Sequence, residues 1–337
     1  MLKYIENKEA EEKIAEMNAE QILDKIVEIK DPVINMTVGE MISNLKATAR
    51  NEKMNVVVSL ANGDIDQMLA CLYQDNAQGI LYGAEALAKI LGAEKIVLIL
   101  PEPLKEQEVE KNFSSSEYPT EILYGMCSRM SYTTDLLVHP IICAKCFEAL
   151  KGENVHKTIL SVNGQAPQEV EYGTTFAQII PEAKVVRIGI WGAEVRTQVL
   201  DETFPIENGV IETYSDEECI VKKAEEFVGE LRAKCCGKCV FCREGLVQIH
   251  EGLKDLTAGK AKLTDIELMK ELAEIMQQQS NCSLGQTAPG MILGLQEHFA
   301  DDIKEHLAGR CHTLTCKALV HYYIDPKMCK GDGHCVD

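Results

Sequence analysis

The sequence predicts a mixed α/β fold in its first two thirds and a helical bundle after it. Three observations carry this. A β-branched run, a helical run and a second apolar strand follow one another between residues 56 and 100. Short strands flank an Asn163-Gly164 turn signal further on. From Asp216 onward the apolar residues recur at helical spacing. At 337 residues the chain has room for two or three domains, and its 46% apolar content is that of a globular protein.

Residues 8–29 read as one helix, because Ile14, Met17, Ile22, Ile26 and Ile29 fall near helical spacing with charges between them. Asp31-Pro32 ends the run, since proline forces its predecessor into extended geometry. Val56-Val57-Val58 is a short strand, Gly79 to Leu91 a helix and Lys95 to Leu100 a second strand, which together suggest a βαβ unit with a parallel sheet. Residues 102–117 are charged and serine-containing and read as a surface loop; Pro119 to Leu150 is ambiguous. A second unit begins near His156. Thr158 to Val162 and Glu169 to Tyr172 form a hairpin, Thr174 to Ile180 a short helix and Val185 to Trp191 another strand, the order of a small β-grasp domain. In the bundle, Ile220, Ala224, Phe227 and Leu231 line one face. Thr264-x-x-Glu267 reads as a capping box, and Pro289 suits the first turn of a helix bearing Ile292, Leu295 and Phe299. The domain boundaries that follow are 1–155, 156–214, 215–308 and a cysteine-rich tail, 309–337.

Lys plus Arg number 34 against 53 Asp plus Glu, a formal charge of −19. So acidic a surface repels phosphate backbones, and with 5% aromatic residues there is little for bases to stack on, so no nucleic-acid partner is expected. Apolar stretches such as Ile96 to Leu100 are too short to span a bilayer, so no membrane insertion is expected. The opening MLKYIENKEAEEK has no apolar core of a signal peptide, and the expected location is cytoplasmic. In a reducing compartment, 14 cysteines point to metal binding or redox chemistry rather than disulfides.

The strongest motif is Cys236-Gly-Lys-Cys239-Val-Phe-Cys242, a C-x₂-C-x₂-C run. Two-residue spacers let a tight loop wrap a cubane iron–sulfur cluster with its amides aimed at the sulfurs; a zinc site or unligated thiols remain the alternatives on spacing alone. Cys282, just ahead of a predicted helix, is the natural fourth thiolate. Cys235 adjoins the run but has no histidine at motif spacing, which argues against a thiol nucleophile.

Cys236-Gly-Lys-Cys239, Cys242-Arg-Glu-Gly245 and Cys282-x-Leu-Gly285-Gln-Thr-Ala-Pro289 resemble the NADH-binding flavoprotein subunit of respiratory complex I. They resemble still more the beta subunits of multimeric, often electron-bifurcating, [FeFe] hydrogenases. The resemblance extends to Thr158 through Tyr172-Gly-Thr-Thr of the family's β-grasp domain, to an N-terminal helix at Glu16 to Ile22, and to Gly79–Leu100 of its Rossmann-like flavin domain. It implies a [4Fe-4S] cluster on Cys236, Cys239, Cys242 and Cys282.

The family's flavin elements are altered. Its glycine-rich FMN loop, G-R-G-G-A-G-F, corresponds to the stretch Asp31 to Ile42, with the single glycine Gly39. Only glycine lets amides close in on a phosphate. The acidic loop becomes Leu60 to Gln67, the N-N-V-E-T segment Val138 to Cys143, and C-G-E-E becomes Cys127 to Met130. A degenerate Rossmann-like domain that binds neither FMN nor NADH is therefore expected. Cys71, Cys127, Cys143 and Cys146 sit in this domain, either as ligands of a second cluster or as small buried apolar residues. Cys311-His-Thr-Leu-Thr-Cys316, His306 and Cys219 make a closed tetrahedral zinc site, or else His306 is a solvated histidine at a helix C-terminus. Cys329 to Cys335 resembles the opening of a ferredoxin domain with Asp332 in a ligand position, and no cluster is expected there.

The expected function is an iron–sulfur subunit that relays single electrons within a larger complex, with no catalytic residue of its own. Its expected partners are flavin-containing oxidoreductase subunits and ferredoxin-like proteins. Two alternatives stand beside it: an active NADH dehydrogenase with a diverged FMN loop, and a structural adaptor whose cluster is a folding staple.

Overall fold

The structure is a computed structural model, and it describes residues 1–30, 36–48, 53–60, 68–113, 116–125, 132, 134–180, 185–187, 191–192, 210–280 and 283–333. The expected single helix over 8–29 is two, α1 (Lys8–Glu16) and α2 (Ala19–Ile26). They break where Asn18 turns extended. Its side chain accepts the Gln21 N–H at 2.9 Å and the Gln21 side chain accepts the Asn18 N–H at 2.9 Å. This reciprocal cap satisfies two amides that a continuous helix would have used otherwise, and α2 can then turn Ile22 and Ile26 into the core.

Next come α3 (Val38–Thr48), β1 (Val56–Ser59), α4 (Cys71–Asp75), α5 (Ala77–Leu91) and β2 (Ile96–Leu100). The charged stretch 102–117 holds two short 3₁₀ turns, Glu102–Gln107 and Val109–Asn112, which bury Leu104 and Val109. Then follow β3 (Thr120–Tyr124), β4 (Leu136–Val138) and α6 (Pro140–Lys151). The described strands pair in the order β3-β2-β1-β4, all parallel. Val56, Val58 and Leu98 face the main core, and Val57, Val97 and Ile99 face a second apolar layer. Burial on both faces is why these strands read as continuous apolar runs rather than alternating ones. On the main-core face α5 and α6 pack at backbone contact, since a Cβ on Gly83 would lie 1.9 Å from the Cys143 carbonyl oxygen.

His139 closes β4 and caps α6. Its Nδ1 accepts the Ile141 N–H at 3.2 Å, which fixes the proton on Nε2. Burial pushes its pKa down from 6.5 to about 3.

The second unit comprises β5 (Lys157–Val162), β6 (Gln168–Glu171), α7 (Phe176–Ile179), β7 (Val185–Arg187), β8 (Trp191–Gly192) and β9 (Val210–Tyr214), with the sheet order β6-β5-β9-β7-β8. Asn163 and Gly164 both adopt positive φ, 51° and 70°, as the hairpin signal requires. The expected strand over Val185–Trp191 is instead two strands. Arg187 pairs with Trp191 antiparallel, so the chain reverses between them. The central strand β9 has no counterpart in the sequence reading. It pairs parallel with β5 and antiparallel with β7, and its Ile211 joins Leu160, Phe176 and Ile180 in a small core. Lys157 bonds Glu169 at 2.6 Å and lies 3.4 Å from Glu148 of α6, which ties this sheet to the first unit.

The bundle runs α8 (Ile220–Lys234), α9 (Val240–Thr257), α10 (Leu263–Gln279), α11 (Ser283–His298) and α12 (Ala300–Leu307). Gly245 and Gly252 of α9 form a groove for Met276 and Met269 of α10. Added Cβ atoms there would sit 2.3 and 2.7 Å from the two sulfurs. Two expectations are corrected. The helix at 264 opens one residue earlier, with Asp265 accepting the Lys262 N–H at 2.7 Å in place of the Thr264/Glu267 box. Pro289 lies inside α11 rather than in its first turn. Its missing N–H deprives only the Gly285 carbonyl, and burial of Leu284, Ala288, Met291 and Ile292 carries the helix through. Among the described residues no helix is long and apolar enough to cross a membrane.

Two outcomes test this packing. Gly83→Ala should cost roughly 1–3 kcal/mol, read by urea denaturation, because the added methyl meets backbone rather than a movable side chain. His139 is neutral when folded, and its charged form is favoured on unfolding between pH 6.5 and about 3. The unfolded state then binds the extra proton, so stability falls as pH drops through that window. His139→Gln should flatten that part of the stability–pH curve.

Candidate metal centres

Cys219, His306, Cys311 and Cys316 converge from three separate segments. Cys219 caps α8, His306 lies in the last turn of α12, and the two later cysteines bracket a loop in the tail. One ligand atom from each lies within 4.8 Å of all the others, and all four residues are buried. His306 Nε2 is 3.3 Å from the Cys219 sulfur and 3.4 Å from that of Cys316, and the two sulfurs are 3.7 Å apart. His306 Nδ1 donates to the Asp302 carbonyl at 2.7 Å. That bond turns Nε2 toward the thiols, as the outer hydrogen bond of a metal-ligating imidazole does. His306 is therefore no solvated helix-end histidine.

The electrostatics match a site built for a cation. The bond from the Cys316 thiol holds Cys219 well below the usual thiol range and leaves Cys316 the protonated partner. Burial opposes protonation of His306, but the adjacent Cys219 thiolate outweighs it and raises the imidazole to about 9. Burial also opposes ionisation of Cys311, yet hydroxyl donors led by Thr313, 3.2 Å away, lower its pKa overall. A set of three sulfurs and one nitrogen, closed and buried, fits a tetrahedral divalent metal. Sequence reasoning missed the threonines. Their signal was present in His312-Thr-Leu-Thr315, where two hydroxyls alternate between the cysteines.

The second thiol group lies at the other end of α8. Cys235 follows its last residue, Cys239 is the N-cap of α9, and Cys242 sits in the first turn of α9. Cys239 and Cys242 are 7% and 3% exposed, whereas Cys236 is exposed. The N-terminus of an 18-residue helix presents unpaired amides and a partial positive charge, which suits an anionic thiolate cluster. A close approach completes the cradle. A Cβ on Gly285 of α11 would lie 2.6 Å from the Ser280 side chain and 3.1 Å from the Cys242 sulfur. The start of α11 is therefore drawn against the cysteine loop. The thiol chemistry, the burial and this glycine-lined cradle fit an iron–sulfur group. Cys282 lies outside the described residues.

The remaining cysteines are not gathered in this way. Cys143 and Cys146 are buried in the apolar core between α5 and α6, and burial raises Cys146 to about 12. That environment suits small apolar residues. Cys71 is half-buried at the start of α4 and Cys329 is exposed in the tail, while Cys127 and Cys335 lie outside the described residues.

Residues 222–306 match the family described as the NADH-ubiquinone oxidoreductase-F iron-sulfur binding region. The NADP-reducing hydrogenase subunit HndC of Solidesulfovibrio fructosivorans is 35% identical over 129 residues, 38% of this chain and 26% of that protein. The NADH-quinone oxidoreductase-F protein of Streptomyces coelicolor is 28% identical over 30% of this chain and 22% of its own length. The match thus spans about a quarter of these relatives. A crystal structure of an NAD+-reducing [NiFe]-hydrogenase in the H2-reduced state superposes with a TM-score of 0.71 at 16% identity. It covers 86% of this chain and 63% of that one. A likeness at that identity speaks to the fold. By its iron–sulfur binding region and these relatives, the chain belongs to the family of NADH-quinone oxidoreductase-F and the NAD(P)-reducing hydrogenase subunits.

Proposed function

We propose that this chain is an electron-transfer subunit of a larger flavin-dependent oxidoreductase complex. It relays single electrons through one [4Fe-4S] cluster held by Cys236, Cys239, Cys242 and Cys282. The observation that carries this is the pair of buried thiols, Cys239 and Cys242, at the N-terminus of α9 inside the family-matched region. When bound, the cluster supplies one-electron redox chemistry. The chain's residues set its environment. The α9 amides favour added negative charge, and the apolar bundle around Cys239 and Cys242 keeps water away. Partners are flavin-containing subunits and ferredoxin-like carriers, a reading supported by relatives that are themselves named as subunits.

The chain's own FMN and NADH site is lost in this reading. The described part of the stretch matching the family's phosphate loop supports it. Residues 36–48 lead into a capped helix, with Glu40 accepting from Thr37. Gly39 there serves packing, since its Cβ would lie 2.6 Å from Val27. The Cys219/His306/Cys311/Cys316 site holds zinc. It lies one length of α8 from the cluster loop, about 24 Å at the helical rise, and acts as a staple that fastens the tail to the bundle.

Anaerobically purified protein should carry about four irons and about one zinc per chain, and no flavin. Bound flavin, or dye reduction by NADH without partner subunits, overturns the loss of the nucleotide site. Cys242→Ser should abolish the reduced-cluster EPR signal while zinc stays in place. His306→Ala should do the reverse, losing zinc and lowering the melting temperature with iron retained. Thr313→Val, which removes the hydroxyl beside Cys311, should weaken zinc about 10–100-fold in chelator competition.

A further inference from the structure

We propose that Cys235 is the thiolate that fills the cluster corner assigned above to Cys236. The inference rests on the cluster reading and changes only which of two adjacent cysteines serves it.

The backbone makes the choice. Cys235 leaves α8 in an extended conformation, φ −63° and ψ 127°. In extended chain, successive side chains point to opposite sides, so Cys235 and Cys236 cannot both face the same interior volume. Cys235 is the one turned inward: it is half-buried, and its sulfur is 3.6 Å from that of Cys242. Cys236 is exposed to solvent. Gly237 then reverses the chain at φ +74°, a conformation that suits glycine. Arg243 holds that turn by donating to the Gly237 carbonyl at 2.9 Å.

The same turn aims the Gly237 N–H at the Cys235 sulfur, 3.5 Å away. An amide donor to sulfur favours the thiolate and tunes a cluster it ligates. The working run is then Cys235-x₃-Cys239-x₂-Cys242, closed by Cys282. On cluster binding each thiol gives its proton to solvent and forms a sulfur–iron bond, and the contact between Cys235 and Cys242 gives way to those bonds. No electron is gained or lost in the step.

The test uses the full chain, loaded anaerobically with ferrous iron and sulfide, as wild type, Cys235→Ser and Cys236→Ser. Iron per chain and the EPR spectrum of the reduced protein are read, with far-UV circular dichroism as the folding control. Cys236→Ser should keep wild-type iron and spectrum, and Cys235→Ser should lose at least half of its iron or show a changed spectrum. The opposite pattern, or a Cys235→Ser protein indistinguishable from wild type, overturns the assignment. Wild type that takes up no iron sinks the cluster reading itself, and the ligand assignment with it. A measurement independent of variant folding is iodoacetamide labelling of the loaded wild type with peptide mass spectrometry. Cys236 should be alkylated and Cys235 protected; protection of Cys236 with labelling of Cys235 refutes the proposal.

Discussion

How closely α9 can be approached decides where the bundle's thiols stand. On one side its glycines admit the methionine sulfurs of α10, and at its head Gly285 of α11 comes up against Cys242. None of these contacts tolerates a Cβ. They hold the neighbouring helices at a separation that larger residues would widen. With the helices so drawn in, the N-terminus of α9 and the start of α11 meet over the same small volume, and the unpaired amides of α9 have an anionic object to face.

Helix α8 separates two kinds of thiol chemistry. At its start, three sulfurs and an imidazole gather within one coordination sphere, with an oriented histidine and hydroxyl donors behind them. At its end, a loop of cysteines opens toward the next helix over a wider cradle. The first arrangement is closed and suits a metal that only holds structure, while the second suits a multi-iron group. The closed site draws on Cys219, on α12 and on a tail with little apolar content of its own. Metal–ligand bonds replace the hydrophobic core that such a tail cannot build.

The N-terminal unit keeps the layered parallel sheet of a nucleotide-binding scaffold. Its strand order, β3-β2-β1-β4, places a reversal between β1 and β4. What lines that crevice on the β4 side is a buried histidine capping α6. Fold and function part company here: a scaffold persists through its packing, whereas a phosphate site depends on loop glycines that packing does not require.

The sequence alone determined the order of strands and helices through residue 180, the extent of the bundle and the zinc-type ligand set. Each left a local signal: β-branched runs, an Asn-Gly turn, apolar periodicity, cysteines bracketing a short loop. It did not reveal β9, whose five residues acquire their role from pairing with β5 and β7, nor the reversal between β7 and β8. It also merged α1 with α2, because periodicity across Met17 outweighed a cap whose value appears only when Gln21 bonds back to Asn18. Which of two adjacent cysteines faces inward was likewise a tertiary decision. Spacing counts residues along the chain, while the direction of a side chain depends on the backbone angles where α8 hands over to the Gly237 turn.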